Sequence, residues 1–263
     1  MIPARKRWGQ HFLVRAETAR RIVEASGVGP GDIAFEVGPG EGALTRPLAE
    51  RAGRVLAVEI DPLRCEALRH GLAGNVRLVC GDVLDRSFAE WLATVEWTPP
   101  AVLVANLPFN AATPILVRAI EEEGTFSRAI ATVQKEVARR FSATAGSEAY
   151  GYLSVRAAAF ARARVLFDLP PGAFRPSPRV TSSVLELVPR SASLDSAARD
   201  RALAIASLAF RFRRKTVANA LSSAVDRARV TRALEELGRS PLSRAEELSL
   251  ADYIGLAARI GTA

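Results

Sequence analysis

The chain is poor in the residues that most often carry metal or thiol chemistry: its 263 residues include two cysteines, two histidines and one methionine. Cys65 and Cys80 match no metal-ligand spacing, and with His11 and His70 they make no zinc set, so no metal is expected. Cys80 sits in an apolar run and is expected to pack in the core. His70, near a predicted helix end, reads as a surface residue. No run approaches eighteen apolar residues, which excludes a membrane-spanning helix. The N-terminal MIPARKRWGQHFLV is basic, but Gly9, Gln10 and His11 interrupt its apolar residues. It therefore does not read as a secretory signal, and a cytoplasmic protein without a membrane partner is expected. No internal repeat or low-complexity tract is present.

What the chain does have is apolar mass and positive charge. At 263 residues and 49% hydrophobic it can bury one large core, or a core and a small satellite domain. Its 36 Lys+Arg outnumber 28 Asp+Glu, a net charge of +8 that suits a polyanionic partner. Arg greatly outnumbers Lys; codon bias would account for the abundance of Arg, though not for where it clusters.

Apolar runs alternate with helical patterns. Strands are predicted at Ile33–Val37, Arg54–Ile60, Val76–Cys80, Ala101–Asn106 and Arg128–Val133. Helices are predicted at Ala43–Arg51, Pro62–His70, Phe88–Thr94, Thr113–Glu122 and Glu136–Thr144. This alternation predicts an α/β fold with a parallel sheet covered on both faces. Leu153–Phe167 and Ser182–Val188, joined by the Pro-rich LPPGAFRPSPRVT, are predicted as an antiparallel addition, making seven strands. From Ser191 to Ala263 the chain is Ala-, Leu- and Arg-rich with helical periodicity. The expected domains are therefore residues 1–190, the α/β part, and 191–263, a small helical part.

Four features fall at the carboxyl ends of consecutive strands, where open α/β sheets bind ligands. EVGPGEG, Glu36 to Gly42, follows the first strand and opens a helix; Gly38 and Gly40 allow close backbone approach to a ligand. Two carboxylates, Glu36 and Glu41, would repel a pyrophosphate, so the loop suits a cationic ligand without phosphate, such as S-adenosylmethionine. Glu59 ends the second strand and can accept from both ribose hydroxyls. Asp82 follows the third and can accept from an adenine amino group, while Asp85 reads as a helix cap. VLVANLPF, Val102 to Phe109, ends in a corner able to hold a planar amine. Asn106 offers a carboxamide oxygen, Leu107 a carbonyl beside the rigid Pro108, and Phe109 a stacking face.

These segments, with KRWGQHFL at Lys6–Leu13, VQKEVARR at Val133–Arg140, YGYLSV at Tyr150–Val155, FDLPPGAFRPSPRVTSSV at Phe167–Val184 and FRFRRKTVANAL at Phe210–Leu221, resemble the small-subunit ribosomal RNA adenine dimethyltransferases (the KsgA type). More broadly they resemble the family shared with the erythromycin-resistance rRNA methylases. The likeness covers nearly the whole chain, in order. It implies a Rossmann-like class I methyltransferase sheet and a donor site lined by His11, Leu13, Gly38, Glu59, Asp82 and Asn106. Members usually carry Asn where this chain has His11, and often Tyr where it has Phe109.

The resemblance also implies a substrate: two adjacent adenosines in a hairpin near the 3′ end of small-subunit rRNA, dimethylated by a monomeric enzyme on an assembling subunit. The 6-amino group of adenine is a poor nucleophile, so acceptors at Asn106 and Leu107 and a clamp at Phe109 would supply orientation rather than a strong base. An adenine in a helix must be turned out to be reached. Phosphate contacts are expected from Arg211, Arg213, Arg214 and Lys215, joined by Arg227, Arg229 and Arg232 against a single acid, Asp226. Arg5, Lys6, Arg7, Arg175 and Arg179 are further candidates. Competing expectations are an assembly factor with secondary or lost methylation, a large-subunit methylase conferring antibiotic resistance and, least suited to the loop, a nicotinamide oxidoreductase.

Overall fold

A computed structural model describes residues 9–95, 100–190, 195–212 and 214–261. Arg5, Lys6, Arg7 and Arg213 lie outside the described residues. The chain divides into two compact units, Met1–Ala138 with Arg162–Pro189, and Arg139–Ala161 with Arg190–Ala263.

The first unit is built on β2 (Ile33–Val37), β3 (Arg54–Glu59), β4 (Val76–Cys80), β5 (Ala101–Asn106), β6 (Phe126–Gln134), β7 (Ala161–Leu169) and β9 (Ser182–Pro189). They form one seven-stranded sheet in the order β4-β3-β2-β5-β6-β9-β7. The pairs β2–β3, β3–β4, β2–β5 and β5–β6 are parallel, and β9 adds antiparallel to β6. The central strands are near-continuous apolar runs because both faces are covered. One face packs Ala34, Val55, Val102, Val104 and Ile130 against Ile22 and Val23 of α1 (Ala16–Ser26) and Leu48 of α2 (Thr45–Arg51). On the other, Phe35, Phe88 and Phe126 meet edge to face, with ring centroids 5.0–5.9 Å apart. A separate two-stranded sheet pairs β1 (Phe12–Leu13) antiparallel with β8 (Phe174–Arg175).

The second unit contains α7 (Tyr152–Phe160), α8 (Ser196–Phe210), α9 (Val217–Ala220), α10 (Arg227–Glu236) and α11 (Leu250–Ile260). Residues 139–161, expected with the α/β part, pack here instead. Tyr150 donates to the Leu248 carbonyl at 2.9 Å, Gly146 N–H to that of Glu246 at 2.8 Å, and Arg190 Nε to that of Ala158 at 2.8 Å.

Three local expectations are corrected. Leu153–Phe167 is not one strand: helix α7 runs to Phe160 and β7 begins at Ala161, so the small residues of VRAAAF favour a helix before the β-branched and aromatic stretch takes over. Asp85 caps no helix; Ser87 does, in a reciprocal capping box with Glu90. Cys80 is exposed on the edge strand β4, disulfide-bonded to the buried Cys65 of α3 (Pro62–Arg69) with Cα atoms 6.0 Å apart. An edge strand lacks the flanking strand that would have covered it.

No helix among the described residues is long and apolar enough to cross a membrane. Among the same residues, no group of three or more His, Cys, Asp or Glu is placed to hold a metal.

Candidate active site

The carboxyl ends of β2, β3, β4 and β5 surround a cavity of about 330 Å³. Gly38, Glu59, Asp82, Asn106, Leu107, Pro108 and His11 are among the residues lining it. Among the described residues, the lining contains two carboxylates and neither lysine nor arginine. That donor set repels a pyrophosphate and favours a ligand carrying positive charge. S-adenosylmethionine, cationic and free of phosphate, fits it.

Glu59 anchors the cradle. Its Oε2 accepts from Gly40 N–H at 2.9 Å and its Oε1 from Asp61 N–H at 2.9 Å, which fixes the glycine loop and the entry to α3 on one side chain. Each oxygen keeps a further acceptor position for a ligand hydroxyl. Burial pushes the Glu59 carboxyl up, against the pull of those two N–H groups and of the nearby Arg64. Asp82 spends Oδ1 on Leu84 N–H at 2.9 Å, starting a short 3₁₀ turn at the cavity wall. Gly38, at φ +68°, has nothing within 4 Å of where a Cβ would lie, so the backbone there borders open space.

At the end of β5, the Asn106 Nδ2 donates to the His11 carbonyl at 2.7 Å. A carbonyl can only accept, so the amide nitrogen must face it, which turns the amide oxygen the other way. The His11 ring lies 4.8 Å from the Phe109 ring, inclined by 32°, and its Nδ1 is 2.7 Å from the Pro176 carbonyl. A second cavity of about 670 Å³ opens here, lined by Phe109, Gln134 and residues 175–180 of the Pro-rich segment. The two cavities share Gln10 and His11.

Of the residues predicted for the donor and the amine, all but three line the first cavity. Leu13 is buried in the core cluster and borders only a small adjoining pocket, and Gly40 sits behind Glu59 rather than in the wall. Phe109 belongs to the second cavity rather than the first. Arg211, Arg214 and Lys215 are exposed at the end of α8 in the helical unit.

The burial of two residues beside the site carried no readable signal. Arg64, only 2% exposed, pairs with Glu41 Oε1 at 3.3 Å and stacks 3.9 Å above the Phe12 ring, which itself covers Gly40. Nothing in IDPLRC distinguishes a buried arginine from an exposed one. Glu36 was read as part of the motif, but its burial was not foreseen: it is 1% exposed, and its Oε2 has no hydrogen-bond partner among the described residues.

Burial, with the Glu59 carboxylate adding to it, pushes Glu36 up to about 8. The folded chain then keeps a proton that the unfolded chain has lost. This stability is complete below the ordinary value of 4.5 and is lost as pH rises toward about 8. Glu36→Gln, which cannot titrate, should therefore gain on wild type by roughly 1 kcal/mol per pH unit across that window. Urea denaturation of the ligand-free proteins at mildly acidic and mildly basic pH reads the difference; a gap that does not change with pH refutes the assignment.

The ribosomal RNA adenine dimethylase family model matches residues 1–261. A "Ribosomal RNA small subunit methyltransferase A" of Rubrobacter xylanophilus is 42% identical over 258 residues, covering 97% of this chain and 95% of that protein. One from Methylococcus capsulatus is 39% identical over 258 residues, 97% of each. The crystal structure of the 23S rRNA methyltransferase ErmE superposes with a TM-score of 0.76 at 27% identity, over 95% of this chain and 99% of that one. A dimethyladenosine transferase from Plasmodium falciparum, at 22% identity, shares the fold with a TM-score of 0.77 over 94% of this chain and 96% of its own. From its family match along 1–261 and its likeness to these relatives, the chain belongs to the ribosomal RNA adenine dimethylase family.

Proposed function

We propose that this protein transfers methyl groups from S-adenosylmethionine to the 6-amino nitrogens of two adjacent adenosines in a hairpin near the 3′ end of small-subunit rRNA. It acts as a monomer in the cytoplasm, on assembling small subunits. The observation that carries this reading is the corner at Asn106, where an oriented amide lines a cavity suited to a cation and is held by His11, which also lines a second cavity bordered by Phe109.

The bound cofactor supplies an electrophilic methyl on a sulfonium. Glu59 and Asp82 would hold its ribose and adenine, and the Gly38 backbone would lie against its remainder. The Asn106 oxygen and the Leu107 carbonyl accept the two amine hydrogens, drawing the nitrogen lone pair out of the ring and towards the donor cavity. Phe109 stacks on the base and keeps it in line. Orientation of this kind is worth several kcal/mol of barrier. The nitrogen becomes acidic as it forms its fourth bond, so its proton can pass to solvent and no histidine or cysteine base is needed.

The α/β unit within residues 1–190 carries this chemistry, and the helical unit, which includes residues 191–263, contributes the RNA-binding surface. Exposed Arg211, Arg214 and Lys215 support that division. Replacing Arg213, Arg214 and Lys215 with Gln should weaken binding to small-subunit rRNA and lower its log–log salt slope by about 2. Cofactor affinity should not change. An unaltered slope would remove these residues from the phosphate contact.

Transfer of labelled methyl to purified small and large subunits lacking the modification tests the substrate. Small-subunit transfer is expected. Transfer confined to the large subunit would favour the ErmE-like alternative, and transfer to neither would favour an assembly factor.

A further inference from the structure

We infer that His11 is a positioning residue for the target base and works through Pro176. The β1–β8 ladder pairs Phe12 with Arg175 and Leu13 with Phe174, and Val14 N–H donates to the Ala173 carbonyl at 3.0 Å. The next pair along would be His11 with Pro176. Val14–Ala173 is a hydrogen-bonded pair, so the alternation of an antiparallel ladder makes His11–Pro176 a non-hydrogen-bonded one, where the main chains exchange no bond. The His11 ring takes over: its Nδ1 meets the Pro176 carbonyl at 2.7 Å, and because a carbonyl only accepts, that nitrogen bears the hydrogen. The strap between the N-terminal segment and the Pro-rich segment is thereby extended by one residue, to the edge of the second cavity.

The other contacts of the same residue give the strap its consequence. The His11 main-chain carbonyl orients Asn106, and its ring lies beside Phe109. His11 also stands in the wall that the two cavities share. One residue therefore sets the amide, which borders the first cavity, and the stacking surface and the turn carrying Arg175 and Arg179, which border the second. This inference rests on the proposed methyl transfer and assigns His11 a role within it.

Three substitutions separate the parts. His11→Asn keeps an N–H donor at the same branch but loses the ring, His11→Phe keeps a ring without the donor, and His11→Ala loses both. The main-chain bond to Asn106 survives in all three. The Ala and Phe proteins should lose about fivefold to tenfold in kcat/KM toward small subunits, mainly in KM, as expected for one lost hydrogen bond. The Asn protein should stay near wild type, and in the Ala and Phe proteins the dissociation constant for S-adenosylhomocysteine should change by less than kcat/KM does. Tryptic cleavage after Arg179, which needs no activity, should quicken in the Ala and Phe proteins only. A Phe variant as active and protected as wild type, an Asn variant as poor as Ala, or cofactor affinity falling in step with activity would each overturn the inference. Failure of wild type to methylate subunits would refute the reaction instead, and the proteolysis result would still judge the strap.

Discussion

Asn106→Ala should leave small-subunit rRNA without methylated adenosine while the protein still binds S-adenosylhomocysteine within a few-fold of wild type. The expected loss in kcat is about 10²–10³-fold, the scale of removing one preorganised hydrogen-bonding group from a reacting centre. Two features of the site put the loss in chemistry rather than in donor binding. Glu59 and Asp82 hold their places through main-chain N–H groups of Gly40, Asp61 and Leu84, none of which involves Asn106. The amide's own anchor is a single bond to the His11 carbonyl, and that carbonyl belongs to a segment also held by the β1–β8 ladder. Mass spectrometry of rRNA after incubation reads unmethylated, monomethylated and dimethylated adenosine separately. The distinction is useful because the monomethylated amine has one hydrogen left to share between two acceptors. Methylation above a tenth of the wild-type level would show that the carboxamide is not the grip on the amine.

The parts of the molecule visible in its sequence are those where local pattern and tertiary role coincide. β2, β3 and β5 are buried on both faces, so their apolar runs announced themselves, and the polar residues ending β3 and β5 (Glu59, Asn106) stood out against that background. A two-residue strand has no such signal: Phe12–Leu13 and Phe174–Arg175 pair across more than 160 positions, and neither has a periodicity to detect. The α7–β7 junction failed for another reason. Phe160 and Ala161 are joined without Gly or Pro, so a helix passes into a strand inside one apolar run. Cys80 was expected in the core because it sits in an apolar run, but an apolar run cannot tell an edge strand from a central one. Arg64 shows the deepest limit. Whether an arginine is solvated or stacked on a ring depends on Phe12, fifty-two positions earlier, and on the loop between them.

That stack makes Gly40 the most vulnerable glycine of the loop. Its φ is +59°, and a Cβ there would lie 2.8 Å from Cδ1 and Cε1 of Phe12. Phe12 has little room to yield, because the Arg64 guanidinium lies 3.9 Å from its ring centroid and β1 is hydrogen-bonded to β8. Gly40→Ala thus meets two costs: left-handed backbone for a residue with a Cβ, about 1–2 kcal/mol, and an overpacked contact, typically about 1–3 kcal/mol more. Gly38→Ala, at φ +68° with nothing within 4 Å, meets only the first. Both should weaken S-adenosylhomocysteine binding, Gly38→Ala by placing a methyl in the cavity and Gly40→Ala by displacing the N–H that braces Glu59 at 2.9 Å. The ligand-free proteins should separate them. Gly40→Ala should be the less stable in urea by at least about 1 kcal/mol, with S-adenosylhomocysteine affinity down by tenfold or more in calorimetric titration. If Gly38→Ala proves the less stable of the two, Phe12 is not pressed against the loop, and the chain of contacts from Arg64 through Phe12 and Gly40 to Glu59 does not hold the cofactor cradle together.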